Sequence, residues 1–364
     1  VDALLGNSIV ADKSALEAHF GALVANPMVS IGFQAAFLMF TAWVVVFDVA
    51  KGIERLSKIL MPLLLVLVLI VIIRGVTLPG ASAGLSYLFS WNSDAFTWKS
   101  LLAAMGFTFF SLCVGCGCML TYGSYLGKNE NLPKNSVIIV IADTLVAIMA
   151  GLAVIPAAVA NGIAKGMAVS EIKLGGPTLL FATLQDVFHD MGTIGGVFGF
   201  IFYALVLIAA ISSAISLIEA VSVTFIDRAS ARGEEPSRPR TITLVCIVIF
   251  LLSCFVASDG LGSRPFAPWQ FFGIGSEAAP WNDCWLDFMD TWSEGVAMPL
   301  GALLMSVMIG WEIKPKSLYD EIDSGYNGHI HGYYTFCIKY LCPVIMFFIL
   351  LVQISTFFGL GWFN

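Results

Sequence analysis

Asp143 sits in VIIVIADTLVAIMAGLAVIP (137–156), an otherwise uncharged apolar run. A bare carboxylate there must either take up a proton or find a cation; a structural hydrogen bond to a neighbouring helix is the alternative. A second group of polar atoms lies in LLAAMGFTFFSLCVGCGCMLTYGSYL (101–126), where Ser111, Cys113, Cys116 and Cys118 surround Gly115 and Gly117. Each glycine costs roughly 1 kcal/mol against Ala in a helix interior, so a continuous helix is poorly favoured at this point. An unwound turn at membrane depth survives only where it is buried in protein or lines a cavity, and there it can aim backbone groups at a ligand or ion. Alternatively, the two glycines simply let a neighbouring helix pack close. The third group is AAISSAIS (209–216), in which Ser212 and Ser213 offer hydroxyl oxygens. Helix serines often bond back to the preceding turn, and hard cations such as Na⁺ want oxygen ligands by the same logic as Ca²⁺ and Mg²⁺. Here too, small residues that permit close packing are the other reading.

Other reactive side chains suggest less. Glu219 lies within an apolar run, where ordering the interior by hydrogen bonds is one role. Asp48 has Lys51 and Arg55 close by in sequence, and His329 and His331 form an HxH in a solvated loop. The cysteines are read as small buried apolar residues; Cys113, Cys116 and Cys118 fit no zinc spacing, and Cys284 stands by itself in its loop. No phosphate-binding loop, no dinucleotide fingerprint and no nucleophile–base constellation is present. An enzyme and ATP-driven transport within this chain are therefore not expected.

These groups have to be held by membrane helices. Of 364 residues, 58% are hydrophobic and 12% charged, against about 25% charged in soluble domains. The mean hydropathy is +0.88, and the net charge of −7 suits no nucleic-acid partner. Uncharged stretches predict eight spans, over 28–48, 56–76, 101–126, 136–159, 192–223, 241–258, 294–312 and 337–358. Alternate loops carry Lys51, Arg55, Lys58, Lys128, Lys134, Arg228, Arg232, Arg238, Arg240, Lys314 and Lys316, which is 11 of the 18 basic residues. The positive-inside rule makes that side cytoplasmic. Residues 1–27 and the C-terminus then lie outside, and an odd number of further spans is expected upstream. The loop 227–240 reads as a solvated linker, 160–191 as short helices over the outer face, and Trp269, Trp281 and Trp285 as an interfacial belt.

Taken in order, several segments resemble the neurotransmitter:sodium symporters, in particular bacterial amino-acid members such as LeuT and MhsT. KGIERLSKILMP (51–62) is similar to the loop between that family's fourth and fifth spans, and SLCVGCGCMLTYGSYL (111–126) to its broken sixth helix. ADTLVAIMAGLAVIP (142–156) resembles the seventh helix, GGPTLLFATLQDVF (175–188) the outer hairpin and AAISSAISLIEA (209–220) the eighth. The resemblance implies an all-α polytopic membrane protein of the LeuT-type inverted-repeat fold, with the eight spans as helices four to eleven of a single transporter domain. The outer hairpin, 160–191, would be its lid. It implies sodium-coupled symport of an amino acid across the plasma membrane, with Na⁺ co-transported and no organic cofactor. A lipid bilayer and a small-molecule substrate are the partners, and homo-oligomerisation stays open.

Carried over position by position, the resemblance makes Phe110, Ser111, Cys113, Gly115, Cys116, Ser213 and Leu217 the substrate pocket. Ser111 and Asp143 would serve a first Na⁺ site, and Ala209, Ser212 and Ser213 a second. Tyr122, Tyr125 and Asp227 would form an inner gate, and Asp290 part of an outer one. Asp143 departs from the asparagine of LeuT and resembles MhsT, so its fixed charge could replace the chloride that animal relatives need. Cys116 takes a position often held by a larger side chain. Na⁺ beside the substrate carboxylate would favour the binding of each by the other, helped by the positive ends of broken helices. A proton-coupled transporter in which Asp143 titrates, a non-transporting membrane scaffold and an ion channel are the competing readings.

Overall fold

The computed structural model describes residues 20–47, 50–91, 96–127, 130–164, 166–169, 172, 181, 184–190, 193–262, 268, 284–313, 315–323, 330–360 and 362. Their regular structure is helical. The helices are α1 Pro27–Val46, α2 Ala50–Val76, α3 Ala81–Phe89, α4 Trp98–Ser111, α5 Cys118–Ser124, α6 Leu132–Ala164, α7 Leu184–Asp190, α8 Thr193–Ala231 and α9 Arg238–Asp259. They continue with α10 Trp285–Ile313, α11 Tyr319–Asp323 and α12 His331–Phe358. Backbone groups in hydrocarbon must be satisfied within the segment, which is why apolar runs of this length become helices.

Seven helices among the described residues are long and apolar enough to cross a membrane, in α1, α2, α6, α8, α9, α10 and α12. The eighth expected span, 101–126, is divided between α4 and α5. Several boundaries differ from the sequence reading. α6 continues through Pro156 to Ala164, and α8 carries Asp227 and Arg228 in helix to Ala231. The expected linker at 227–240 is thus mostly helix. Trp285, expected in an interfacial belt, is 2% exposed and packs on Phe255 and Phe288. Position in a loop misled here, because the loop residue opens a helix and turns inward. Asp48, His329, Trp269 and Trp281 lie outside the described residues, as does much of the expected hairpin at 160–191.

The chain divides into two compact units. The first comprises Val1–Trp91, Thr144–Glu219 and Ser237–Phe250. Its core joins Leu67 and Val71 of α2 to Ala153 of α6, Leu184 and Phe188 of α7, and Phe202 and Leu205 of α8. Gly84 lets α3 lie against α6, since a Cβ there would stand 2.7 Å from the Cα of Pro156. A second cluster joins Val45 of α1, Ile218 of α8, and Ile242 and Cys246 of α9.

The other unit comprises Asn92–Asp143, Ala220–Pro236 and Leu251–Asn364. Here α10 and α12 pack through Ala302, Met346 and Ile349, with Leu102, Met105 and Phe109 of α4 against them. Both long helices contain π turns, at Thr291–Ala297 and Met308–Ile313 in α10 and at Cys337–Leu341 in α12. Two of these turns run directly into a segment whose second residue is proline, Pro299 and Pro343. Proline lacks an N–H and crowds the carbonyl four residues back, so widening the preceding turn keeps the helix continuous. The amide of Gln353 fills the space beside two glycines: a Cβ on Gly106 would stand 2.7 Å from its nitrogen, and one on Gly295 would stand 3.4 Å from its oxygen.

Candidate functional site

Helix α4 starts at a capping box in which Thr97 and Ser100 exchange side-chain and backbone hydrogen bonds, and it stops at Ser111. Residues 112–117 are not helical, and Cys113, Gly115 and Gly117 have positive φ of 52°, 86° and 85°. Of the two readings of the glycines, the structure shows both. The chain unwinds, and Gly115 also makes a close backbone approach to α10. A Cβ on Gly115 would collide with the Met298 carbonyl, while one on Gly301 would stand 2.6 Å from the Gly115 carbonyl oxygen. Two facing glycines let the broken segment touch the next helix. Within the break, Val114 N–H donates to the Phe109 carbonyl at 2.9 Å, and the Cys116 thiol donates to that of Cys113 at 3.2 Å.

At the end of α4, the hydroxyl of Ser111 meets the carboxylate of Asp143 on α6, at 2.8 Å from Oδ1 and 2.9 Å from Oδ2. Both side chains are half-buried. The two residues stand 32 apart in sequence, so this contact is made by the fold. It joins a hydroxyl oxygen and an anionic oxygen pair at the carbonyl end of a helix, which is the negative end of its dipole. Such a donor set suits a hard monovalent cation, whose binding would require the Ser111 hydrogen to turn away from the carboxylate.

A second arrangement lies on α8, in the other unit. Ser212 donates to the Ala209 carbonyl at 2.7 Å, and Ser216 to the Ser212 carbonyl at 2.9 Å. This is the back-bonding expected of helix serines, and it places the Ala209 and Ser212 oxygens together. Ser213 is exposed, as are Leu217 and, on α4, Phe110. Tyr122, Tyr125, Asp227 and Asp290 are likewise exposed. Asp290 stands one helical turn before a second acidic residue, Glu294.

Other polar contacts were also unanticipated. Glu219 does not spend itself on interior hydrogen bonds alone: Arg238 donates to its two oxygens at 3.0 and 3.1 Å. His331 is not simply solvated; its Nε2 lies 2.7 Å from Asp323 and its ring stacks on Tyr319. Cys284 caps α10, its sulfur accepting from Asp287 N–H at 3.4 Å. Asp259 accepts from the backbone N–H of Gly262 and Trp285 at 3.2 and 2.9 Å, fixing the start of α10. The DGLG sequence after an apolar run (259–262) was the available signal, because Asp at a turn commonly bonds the backbone ahead of it.

Among the described residues the regular structure is helical, with seven helices long and apolar enough to cross a membrane beside one that is broken. Comparison with known proteins agrees. Residues 25–266 match the sodium:neurotransmitter symporter family. The chain is 31% identical to a sodium-dependent transporter of Bacillus subtilis, YhdH, over 93% of its own length and 70% of the relative's. It is 29% identical to a sodium-dependent transporter of Haemophilus influenzae, over 95% and 69%. Among solved structures, MhsT in complex with L-phenylalanine superposes with a TM-score of 0.80 at 30% identity, over 97% of this chain and 74% of the other. The chain belongs to the sodium:neurotransmitter symporter family, and its fold is of the LeuT type. It is a multi-pass membrane protein whose family consists of sodium-coupled transporters that carry small molecules.

Proposed function

We propose that this chain takes up an amino acid by sodium-coupled symport, with Ser111 and Asp143 at the first Na⁺ site. The observation that carries the reading is the hydrogen-bonded contact between these two oxygen-bearing groups beside the unwound turn. Ala209, Ser212 and Ser213 serve a second Na⁺. Phe110, Cys113, Gly115 and Cys116 line the substrate pocket with Ser213 and Leu217, and Tyr122, Tyr125, Asp227 and Asp290 act as gates. A solved relative at 30% identity holds L-phenylalanine, which supports an amino-acid substrate. The chain acts as a single transporter domain in the plasma membrane, with residues 160–191 as an outer lid and its basic loops in the cytoplasm. The Asp143 carboxylate neutralises the cation from within the protein, so transport needs no chloride.

Binding of labelled amino acids to purified protein, in Na⁺ and with K⁺ substituted, tests this reading. Na⁺-dependent binding of one amino-acid class, lost in Asp143→Ala and indifferent to replacement of chloride by gluconate, is expected. Uptake that persists without Na⁺ and follows a pH gradient would instead make Asp143 a proton carrier.

A further inference from the structure

The unwound turn and the first residue of α5 hold three thiols that ion coupling does not use. Cys113 and Cys116 are three positions apart in CVGC, and the Cys116 sulfur lies 3.2 Å from the carbonyl oxygen of Cys113. The sulfur of Cys116 thus already lies against the backbone of Cys113, and a disulfide needs the two Cα atoms within about 7 Å. Cys118 is 3% exposed and starts α5. Cys113 and Cys116 are only half-buried, so a small oxidant reaches them first. The positive φ of Cys113 and Gly115 already bends the chain back on itself.

We propose that Cys113 and Cys116 form an oxidisable dithiol that closes into a disulfide across the unwound turn when the protein meets a peroxide. In the first step, one thiol takes an oxygen from the peroxide, breaking the O–O bond, to give a sulfenic acid and one water. The second thiol then displaces that hydroxyl, forming the S–S bond and releasing a second water. Two electrons pass from the sulfurs to the peroxide, and both thiol protons end in water. The bridge pins residues 113–116, the segment in which Gly115 lies against Met298, two residues from Ser111. Oxidation therefore halts transport by fixing the turn, and a dithiol reductant restores it. The consequence for transport rests on the function proposed above; the bridge itself does not.

The test is peptide mass spectrometry on the full chain in proteoliposomes, alkylated before and after hydrogen peroxide, with uptake measured in parallel. The peptide containing 113–116 should lose about 2 Da and both of its alkylation sites there, with recovery in dithiothreitol. Cys118→Ser should still form the bridge, and Cys113→Ser and Cys116→Ser should not. Free thiols at 113 and 116 under peroxide that fully oxidises added glutathione would overturn the proposal, as would a bridge through Cys118. A bridge that forms while uptake continues undiminished would overturn its regulatory part. Absence of uptake before oxidation would count against the transport reading and leave the mass measurement to decide the bridge.

Discussion

Gly115 and Gly117 share nearly the same backbone angle, φ 86° and 85°, yet their surroundings differ. Nothing stands within 4 Å of a Cβ built on Gly117, whereas one on Gly115 strikes the Met298 carbonyl. Gly117→Ala should therefore cost only the left-handed conformation, roughly 1–2 kcal/mol. Gly115→Ala carries that cost and must also displace α10, so it should lower the apparent melting temperature further and abolish Na⁺-dependent binding. Equal losses in the two variants would show that the contact with α10 is not what requires glycine. Cys284 allows another test at this scale: burial pushes its thiol up to about 12, which keeps it protonated at neutral pH. Maleimide at pH 7–8 should leave Cys284 unlabelled in folded protein and modify it after denaturation, and rapid labelling of the folded chain would contradict the buried cap. That Asp143 needs a partner was legible in the sequence, because a lone carboxylate in an apolar run demands one. Its partnership with Ser111 came from the resemblance, since no periodicity relates positions 32 apart.

At the scale of elements, the eight apolar stretches were readable from length and composition, and the glycines marked the one that breaks. The π turns in α10 and α12 were not, because two of the three precede prolines whose effect depends on whether tight packing keeps the helix continuous. The link between α8 and α9 was also hidden, as Glu219 and Arg238 are 19 residues apart on either side of a turn. Arg238 is 44% exposed and Glu219 15%, so solvent screens part of the attraction. A double-mutant cycle with Glu219→Gln and Arg238→Gln should give a coupling of about 1 kcal/mol, and a value near zero would make the pair incidental. The joint between α11 and α12 offers a second test. His331 stacks on Tyr319 at 4.1 Å between ring centres and reaches Asp323, while the Tyr319 hydroxyl meets that of Thr335. Removing the ring in His331→Ala should unfasten α11 and expose the preceding turn, so trypsin should cut after Lys316 several-fold faster. An unchanged cleavage rate would mean that the stack does not hold this segment.

At the scale of the whole molecule, the positive-inside rule predicts which side each face meets. A cysteine introduced at Arg232, between α8 and α9, should react only with reagents that reach the cytoplasm, and one at Leu261 only from outside; the reverse pattern would invert the topology. The remaining argument is thermodynamic. If Na⁺ at Ser111 and Asp143 sits beside the substrate's carboxylate, each ligand lowers the free energy of binding the other, and the two effects must be equal because binding free energies form a closed cycle. Saturating Na⁺ should tighten amino-acid binding by about 5- to 150-fold, the range typical of coupled sites, and saturating amino acid should tighten Na⁺ by the same factor. Asp143→Asn is the informative variant. It keeps an acceptor for the Ser111 hydroxyl and nearly the same shape but removes the charge, so it should fold normally while both factors fall together towards one. Unchanged factors would remove Asp143 from the coupling and return it to the structural role of a helix-to-helix hydrogen bond.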